Sequence, residues 1–500
     1  MDINVLYYGD NLEILRKYIP DESIDLIYLD PPFNSKATYN VLFKEPTGAP
    51  SQAQISAFED TWHWGLESER ALQEIAASTI APTPAKEFMS VLPELVGKRT
   101  DMAAYLTMMC IRLIELRRVL KDTGSIYLHC DPTASHYLKL LMDTIFGAAN
   151  FIREIVWAYG TPSGGRVTGA KPVKGHDIIL AYAKSYGEHI YNRLYLPYSE
   201  KYIQERFTYT DDTGRRYRTR RREGVMTRQY LDESKGMPLS DTWTDIKQLY
   251  AYHLIKRKQE ELGYETQKPL ALVERIIKAS SNEGDIVLDP FCGCGTAVVA
   301  AQKLNRRWIG IDITYLAIGL MEWRLKNMVP MPVYKVIGEP RDLASAVELA
   351  NKDKYQFQWW AVTKVGGQPY GEKKKGADTG IDGYLYYMDE KDKIKKAIIS
   401  VKAGKNVDVS MIRDLGHVID REKSGIGVFI ILEKPTRPMI EEAAKKGFYH
   451  SPLGRDYPRI QIITIEEIFQ GKSPDIPPWI APITKPVPTK KVEGKTKRLF

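Results

Sequence analysis

Short apolar runs, each closed by a carboxylate or a proline, set the rhythm of the first two thirds of the chain. Ile24-Asp25-Leu26-Ile27-Tyr28-Leu29 reads as a buried strand. Asp30-Pro31-Pro32-Phe33 must end it, because proline gives a sheet no N–H. The form repeats in Gly284-Asp285-Ile286-Val287-Leu288-Asp289-Pro290, followed by Phe291-Cys292-Gly293-Cys294-Gly295-Thr296. A helical stretch over 297–304 and a second strand, Arg307-Trp308-Ile309-Gly310-Ile311-Asp312, come next. Leu106, Met109, Leu113, Leu116 and Leu120 recur at helical spacing and predict a core helix over 101–120. Ser125-Ile126-Tyr127-Leu128-His129 predicts another strand, with His129 as a satisfied strand-end residue. Residues 35–100, which contain Phe58-Glu59-Asp60-Thr61-Trp62-His63-Trp64-Gly65, read as loop-rich and then helical.

The pattern resets after Pro330-Met331-Pro332. A helix carrying Leu343, Val347 and Leu349 precedes Phe357–Val362 and a basic, glycine-rich loop, 372–383. Strands Tyr384–Met388 and Lys396–Lys402, a helix near 409–420 and a buried strand Gly427–Leu432 complete a second α/β unit over 340–470. From Gly471 onward prolines and lysines dominate, so residues 471–500 read as a basic, extended or disordered tail. The fold class is α/β throughout, and no internal repeats occur.

Composition narrows the setting. Five hundred residues suit two to four domains, and 43% hydrophobic content suffices for sizeable cores. A net charge of +8 suits a polyanionic partner without demanding one. The four cysteines, Cys110, Cys130, Cys292 and Cys294, form neither a disulfide framework nor a C-x-x-C pair, which points to a reducing cytoplasm. Cys292 and Cys294 read as small-residue filler in a glycine loop rather than metal ligands. With no signal peptide and no apolar run near 18 residues, no membrane span is expected.

The chemistry lies at the strand ends. Asp30 offers a carboxylate, Pro31 a carbonyl and Phe33 an aromatic face, a set able to accept hydrogens from an exocyclic amine while a ring stacks on a base. The glycines after Asp289 let a backbone approach a ligand closely, and the helix start favours a negative group. Asp312 ends the second strand about 20 residues on, where a carboxylate can hold ribose hydroxyls. The spacing is G-x-G-T, not the G-x-G-x-x-G of dinucleotide sites. Asp-Pro-Pro-Phe and D-P-F-x-G-x-G-T together resemble the catalytic and S-adenosylmethionine motifs of the DNA amino-methyltransferases, which modify adenine N6 or cytosine N4. The catalytic motif precedes the cofactor loop, as in the circularly permuted β class.

That resemblance implies a Rossmann-like, S-adenosyl-L-methionine-dependent methyltransferase fold over 1–335, with a target-recognition region inserted at 155–265. Asp30, Pro31, Pro32 and Phe33 would be catalytic. Asp10, Lys268, Asp289, Phe291, Gly293, Gly295, Thr296 and Asp312 would bind the cofactor, Lys268 near its carboxylate. Phe151–Trp157 and Lys174–Ser185 also resemble landmarks of the class. In Arg215-Arg216-Tyr217-Arg218-Thr219-Arg220-Arg221-Arg222, six arginines in eight positions suit phosphates and guanine edges. Double-stranded DNA is the implied partner, and a homodimer stays open. Asp at the head of the motif points to adenine N6, with cytosine N4 as the alternative. No cysteine follows a proline, so the Pro-Cys motif of cytosine-C5 methylation is absent.

In the C-terminal unit, G-x-D-x-G-I-D-G and a strand ending Ser400-Val401-Lys402 resemble the Mrr-type restriction-endonuclease fold. Asp382 and Lys402 match its nuclease positions, with Asp382 a ligand for Mg²⁺. Ser400 stands where an acidic or amide ligand is expected, and Gln358 where an early helix offers Glu. Two readings follow: a bifunctional restriction–modification enzyme, or a module that only tethers or senses DNA.

Overall fold

The computed structural model describes residues 1–32, 38–44, 50–59, 64–97, 100–160, 173–222, 225–249, 267–370, 380–390, 393–404 and 406–478, with 38–44 and 50–59 as backbone alone. Phe33, Thr266, the 371–379 loop and most of the tail lie outside the described residues.

Nine strands make the first sheet. In chain order they are β1 (Val5–Tyr8), β2 (Ile24–Leu29), β3 (Leu120–Cys130), β4 (Phe151–Ala158), β5 (His176–Ala183), β6 (Thr242–Trp243), β7 (Ile286–Asp289), β8 (Arg307–Asp312) and β9 (Lys335–Ile337). Their spatial order is β6-β4-β5-β3-β2-β7-β8-β1-β9. All neighbours run parallel except β5, which is antiparallel to both β3 and β4. The apolar runs are continuous because the sheet is covered on both faces. Ile27, Leu29, Ile309 and Ile311 enter one core beneath α1 (Asn11–Tyr18) and α2 (Asp101–Val119). Leu26, Tyr28, Val287 and Trp308 enter the other, beneath α3 (Leu270–Ser280), α4 (Thr296–Lys303) and α5 (Tyr315–Lys326).

Asp25 is the one charge inside β2, and it is fully used. Lys121 Nζ lies 2.7 Å from Oδ1, and the Ile286 amide donates to Oδ2 at 2.9 Å. This carboxylate ties β2 to the start of β7. The chain leaves β2 towards β3 on one side and leaves β7 towards β8 on the other. Two adjacent parallel strands whose connections diverge form a topological switch point, where open α/β sheets bind ligands beyond the strands' carboxyl ends.

Residues expected to be loop-rich differ from that reading. The backbone of Thr38–Lys44 pairs antiparallel with Pro50–Glu59, before helices Leu66–Ala77 and Thr83–Leu95. Thr38-Tyr39-Asn40-Val41-Leu42-Phe43 is rich in β-branched and aromatic residues, a strand composition without the alternation that marks one in sequence.

The second sheet has five strands: β10 (Gln368–Pro369), β11 (Gly383–Glu390), β12 (Lys393–Lys402), β13 (Gly427–Ile431) and β14 (Ile460–Thr464), in that spatial order. Its first three strands are antiparallel and its last three parallel. Helix α6 (Lys354–Lys364) packs the unit against α5. A Cβ on Gly319 of α5 would stand 2.9 Å from Thr363 Cγ2, so the two helices approach closely. Tyr315 and Leu316, at the start of α5, belong to the core of the second unit. The Tyr315 ring stacks on Tyr8 at 3.7 Å between centroids, and its amide donates to Gln356 Oε1 at 3.0 Å.

Gln356→Leu should leave the buried Tyr315 N–H without its acceptor. An unsatisfied buried donor costs roughly 1–3 kcal/mol. Urea unfolding should show that loss, and an unchanged midpoint would mean that this contact holds nothing.

Candidate active site

Asp30 leaves β2 at the switch point with Pro31 buried and Pro32 half-buried behind it. Lys268 reaches it from Gln267-Lys268-Pro269, the segment that leads into α3. The Lys268 Nζ to Asp30 Oδ2 distance is 2.5 Å, and the side chains are only 11% and 16% exposed.

The glycine loop is built beside this pair. Asp289 is 3% exposed and its carboxylate accepts the Phe291 N–H at 3.1 Å. The Cys292 amide and thiol both donate to the Ile311 carbonyl at 3.0 Å. Gly293 N donates to Asp312 Oδ2 at 2.9 Å, while Thr314 N and Oγ1 donate to Oδ1 at 2.9 and 2.8 Å. Gly295 sits at φ +77°, and a Cβ there would lie 2.4 Å from Met321 Cγ. Arg324 Nη1 clamps the loop from α5 by donating to the Cys294 carbonyl at 2.6 Å. Thr296 opens α4, and its hydroxyl donates to the Lys268 carbonyl at 3.4 Å. The main chain of Lys268 is thus tied to the loop side while its ammonium reaches Asp30.

These residues fit a nucleoside cofactor. The bare glycine backbone leaves an approach that a Cβ would fill, and half-buried Asp312 keeps lone pairs for a diol beyond those its amides use. Asp10 and Asn11 connect the loop to the far side of the sheet. Asp10 caps α1 through Leu12 N at 2.8 Å and pairs with Arg112 Nη2 at 2.8 Å. Asn11 Nδ2 donates to the Pro290 carbonyl at 2.8 Å. Asp10 keeps 34% of its side chain exposed, so capping does not remove it from a ligand's reach.

Three carboxylates, Asp30, Asp289 and Asp312, converge here. Burial pushes the Asp289 carboxyl well above the usual range, and the charges of Asp30 and Asp312 add to that effect. Burial also raises Asp312, against the amide and hydroxyl donors that favour its charged form. Asp289, expected among the cofactor ligands, lies buried beneath the loop and accepts the Phe291 N–H where β7 turns into it.

A network that the sequence did not disclose underlies Asp30. Tyr28 OH pairs with Nδ1 of fully buried His129 at 3.1 Å, and His129 Nε2 lies 3.5 Å from Asp177 Oδ2. Lys174 Nζ stands 2.6 Å from Asp177 Oδ1. Burial opposes the charge on Asp177, yet His129, Lys174 and Lys268 outweigh it and hold the carboxyl below the usual range. His129 is the satisfied strand-end residue expected of it. A charge at Asp177, just before the apolar run 178–183, was the available signal for its partner.

The profile of the DNA methylase family matches residues 24–318, a span that runs from the first residue of β2 into α5. The chain belongs to the N6/N4 DNA methylase family. Among curated relatives, the Type II methyltransferase M.EcaI of Enterobacter cloacae is 28% identical over 43% of this chain and 56% of its own length. The Type II methyltransferase M.BamHI of Bacillus amyloliquefaciens is 27% identical over 65% of this chain and 58% of its own. The DNA adenine methyltransferase YhdJ of Escherichia coli (strain K12) is 25% identical over 64% and 82%. The chain thus spans a little over half the length of the first two.

Elsewhere in the region matched to the family the arginine run divides. Strand Arg216–Arg222 pairs antiparallel with Val225–Tyr230. Arg218 is 8% exposed, sits over the Phe207 ring and donates to Gln229 Oε1 and Tyr202 OH, so it holds the hairpin together. This corrects its expected place on a DNA-facing surface: Gln229, Tyr202 and the Phe207 ring take up its guanidinium within the hairpin. Arg215 is paired with Asp232 and Glu233, and Arg216 donates to the Phe207 carbonyl. Arg220 and Arg221 are exposed, and the Arg222 side chain lies outside the described residues.

In the C-terminal unit, Asp382 Oδ2 accepts the Val401 amide at 2.7 Å, with Ser400 Oγ at 3.5 Å. Lys402 ends β12 half-buried, and Gln358 is half-buried on α6. Among the described residues no group of three His, Cys, Asp or Glu side chains is placed to hold a metal ion. None of the described helices is long and apolar enough to cross a membrane.

A carboxyl raised by burial binds a proton in the fold that the unfolded chain releases, so stability falls as pH climbs from the unfolded value towards the folded one. Asp289→Asn removes that loss and keeps an oxygen for Phe291 N–H. The variant should match wild type near pH 4 and exceed it increasingly towards pH 7, read as thermal midpoints across pH. A constant difference would place Asp289 in its charged form.

Proposed function

We propose that this methylase transfers a methyl group from S-adenosyl-L-methionine to adenine N6 in double-stranded DNA. The observation that carries the reading is the adjacency of Asp30 and the glycine loop at one switch point, bridged by Lys268. Gly293, Gly295, Thr296 and Asp312 would hold the cofactor, Asp312 through its ribose hydroxyls. When bound, it supplies an electrophilic methyl group on a sulfonium. The target base must leave the duplex to reach the strand end. Asp30 and the Pro31 carbonyl would each accept one hydrogen of its amine, orienting the nitrogen lone pair, while Phe33 stacks on the ring. Positioning and fixed dipoles carry such a reaction. No covalent protein nucleophile is needed, which fits the buried, high-pKa thiols of Cys292 and Cys294. Adenine is favoured over cytosine N4 by Asp at the head of the motif, and YhdJ is a relative named for adenine. Arg220 and Arg221 are among the exposed arginines of the hairpin and would be available to DNA.

For the C-terminal unit we favour a DNA-holding role over cleavage. Asp382 already receives an amide hydrogen, and its neighbour at the next ligand position is a hydroxyl, which binds Mg²⁺ far less well than a carboxylate. Incubation of unmethylated plasmid with Mg²⁺ or Mn²⁺ should leave it intact. Cutting that disappears in Asp382→Ala would establish the bifunctional restriction–modification reading instead.

Single-molecule sequencing of plasmid incubated with protein and methyl donor should reveal N6-methyladenine at a defined site. Asp30→Ala should lower turnover by about two or more orders of magnitude, the range of a positioned polar group in a transition state. N4-methylcytosine at the mapped site would reverse the base assignment, and near wild-type turnover would remove Asp30 from the chemistry.

Asp312→Ala should weaken S-adenosylhomocysteine binding by roughly 1–3 kcal/mol, as expected for lost buried hydrogen bonds. Calorimetry measures this directly. Unchanged affinity in a folded variant would move the ribose elsewhere.

A further inference from the structure

We propose that Arg112 is a positioning residue for the adenosine half of the methyl donor: one guanidinium fixes Asp10 and, through Asn11, the entrance of the glycine loop. The proposal rests on the cofactor reading above and extends it to a helix that carries neither motif.

Arg112 stands on α2 with 14% of its side chain exposed. Its Nη1 donates to the Met108 carbonyl one turn back at 3.3 Å, which anchors the head to its own helix. Nε donates to Asn11 Oδ1 at 2.6 Å, and Nη2 pairs with Asp10 Oδ2 at 2.8 Å. One planar fork thus holds two consecutive side chains from the far end of β1. For Asn11 the consequence is directional. Its amide has an acceptor at one end and two donors at the other, in nearly the same shape. A guanidinium only donates, so it claims the oxygen and turns the NH₂ towards Pro290, whose carbonyl Nδ2 reaches at 2.8 Å. The opposite orientation would set oxygen against carbonyl oxygen and NH₂ against guanidinium. Pro290 lies between Asp289 and Phe291, where β7 becomes the glycine loop. Arg324 of α5 holds the Cys294 carbonyl further along, so the loop is gripped by helices on opposite faces of the sheet. Asp10 is steadied by the same fork. One of its oxygens caps α1 through Leu12 N, the other faces Nη2, and 34% of the side chain stays exposed. Without the fork the Asn11 amide is free to flip and Asp10 to turn towards water. Lysine is a poor substitute, because an ammonium keeps the charge and loses the plane.

Calorimetry on the full chain tests this without DNA, at a temperature where thermal unfolding shows each variant folded. The probes are S-adenosylhomocysteine and 5′-methylthioadenosine, which lacks the amino-acid part. Arg112→Met should weaken both by about tenfold, the scale of lost hydrogen bonds to a charged group. The two losses should agree within about twofold, since the fork serves only the half that both ligands share. Arg112→Lys should weaken both by a similar factor, and it carries the test if the methionine variant does not fold. In methylation assays KM for the donor should rise about tenfold while kcat at saturation changes by less than about threefold, the split expected when only binding is lost. Wild-type affinity in a folded Arg112→Met or Arg112→Lys overturns the positioning role and leaves the cofactor reading intact. So does a loss confined to S-adenosylhomocysteine, or a fall in kcat with KM unchanged. If wild type binds neither ligand, the cofactor reading fails and this proposal with it.

Discussion

The parallel pairing of β2 with β7 is the constraint on which the candidate site depends. Val287 faces Leu26 and Leu288 faces Ile27, which sets the ends of both strands at one level. A slip of one residue would move Asp30 by about 3.3 Å and send each buried side chain to the opposite core. Asp25 guards against that slip, because its carboxylate accepts the Ile286 amide across the pair while Lys121 neutralises it. A charge in the middle of an apolar run thus acts as a register pin.

The sequence discloses those elements that are locally over-determined. Ile24–Leu29 and Arg307–Asp312 have the bounds expected of them, because each is a continuous apolar run with an abrupt polar end. The glycine loop is legible for the same reason: its left-handed positions admit little else. Partnerships across the chain are not legible. Nothing near Lys268 announces Asp30, and nothing near His129 announces Tyr28 or Asp177. The arginine run misleads in a specific way, since a count of charges says nothing of which guanidinium finds partners inside the hairpin. Arg218 spends its guanidinium on Gln229 and Tyr202 inside the hairpin, whereas Arg221, three positions along the strand, is exposed. Asp382 was legible as a position and not as a role, because its acceptor capacity is taken up in part by the backbone of a strand 19 residues on.

Charge balance explains why the site is arranged around one lysine. Three carboxylates at adjoining strand ends would repel one another in a partly dry pocket. Burial pushes the Asp289 carboxyl up towards its uncharged form, and Asp312 gathers an amide on one oxygen and Thr314 on the other. Asp30 answers with Lys268. The three solutions do different things. A buried acid can turn a loop, an amide-bound carboxylate can still accept a diol, and an ion-paired one keeps its second oxygen as an acceptor.

The same strand ends are also tied to the C-terminal unit. Helix α5 follows Asp312 directly and is buried on two sides. Ile318, Met321 and Leu325 enter the core of the nine-stranded sheet, while Tyr315 and Leu316 enter the core of the five-stranded one. Met321 backs Gly295, Arg324 grips the loop, and Gln356 of the second unit accepts the amide of Tyr315. A rotation of the C-terminal unit would have to open one of these cores or carry α5 with it. Because α5 clamps the glycine loop, the second carries the loop as well. Close-packed interiors resist gradual deformation, so the two units hold one orientation rather than swinging as beads on a tether. The C-terminal unit is thereby held at a fixed bearing to Asp30, and the helix that fixes that bearing is the one that shapes the glycine loop.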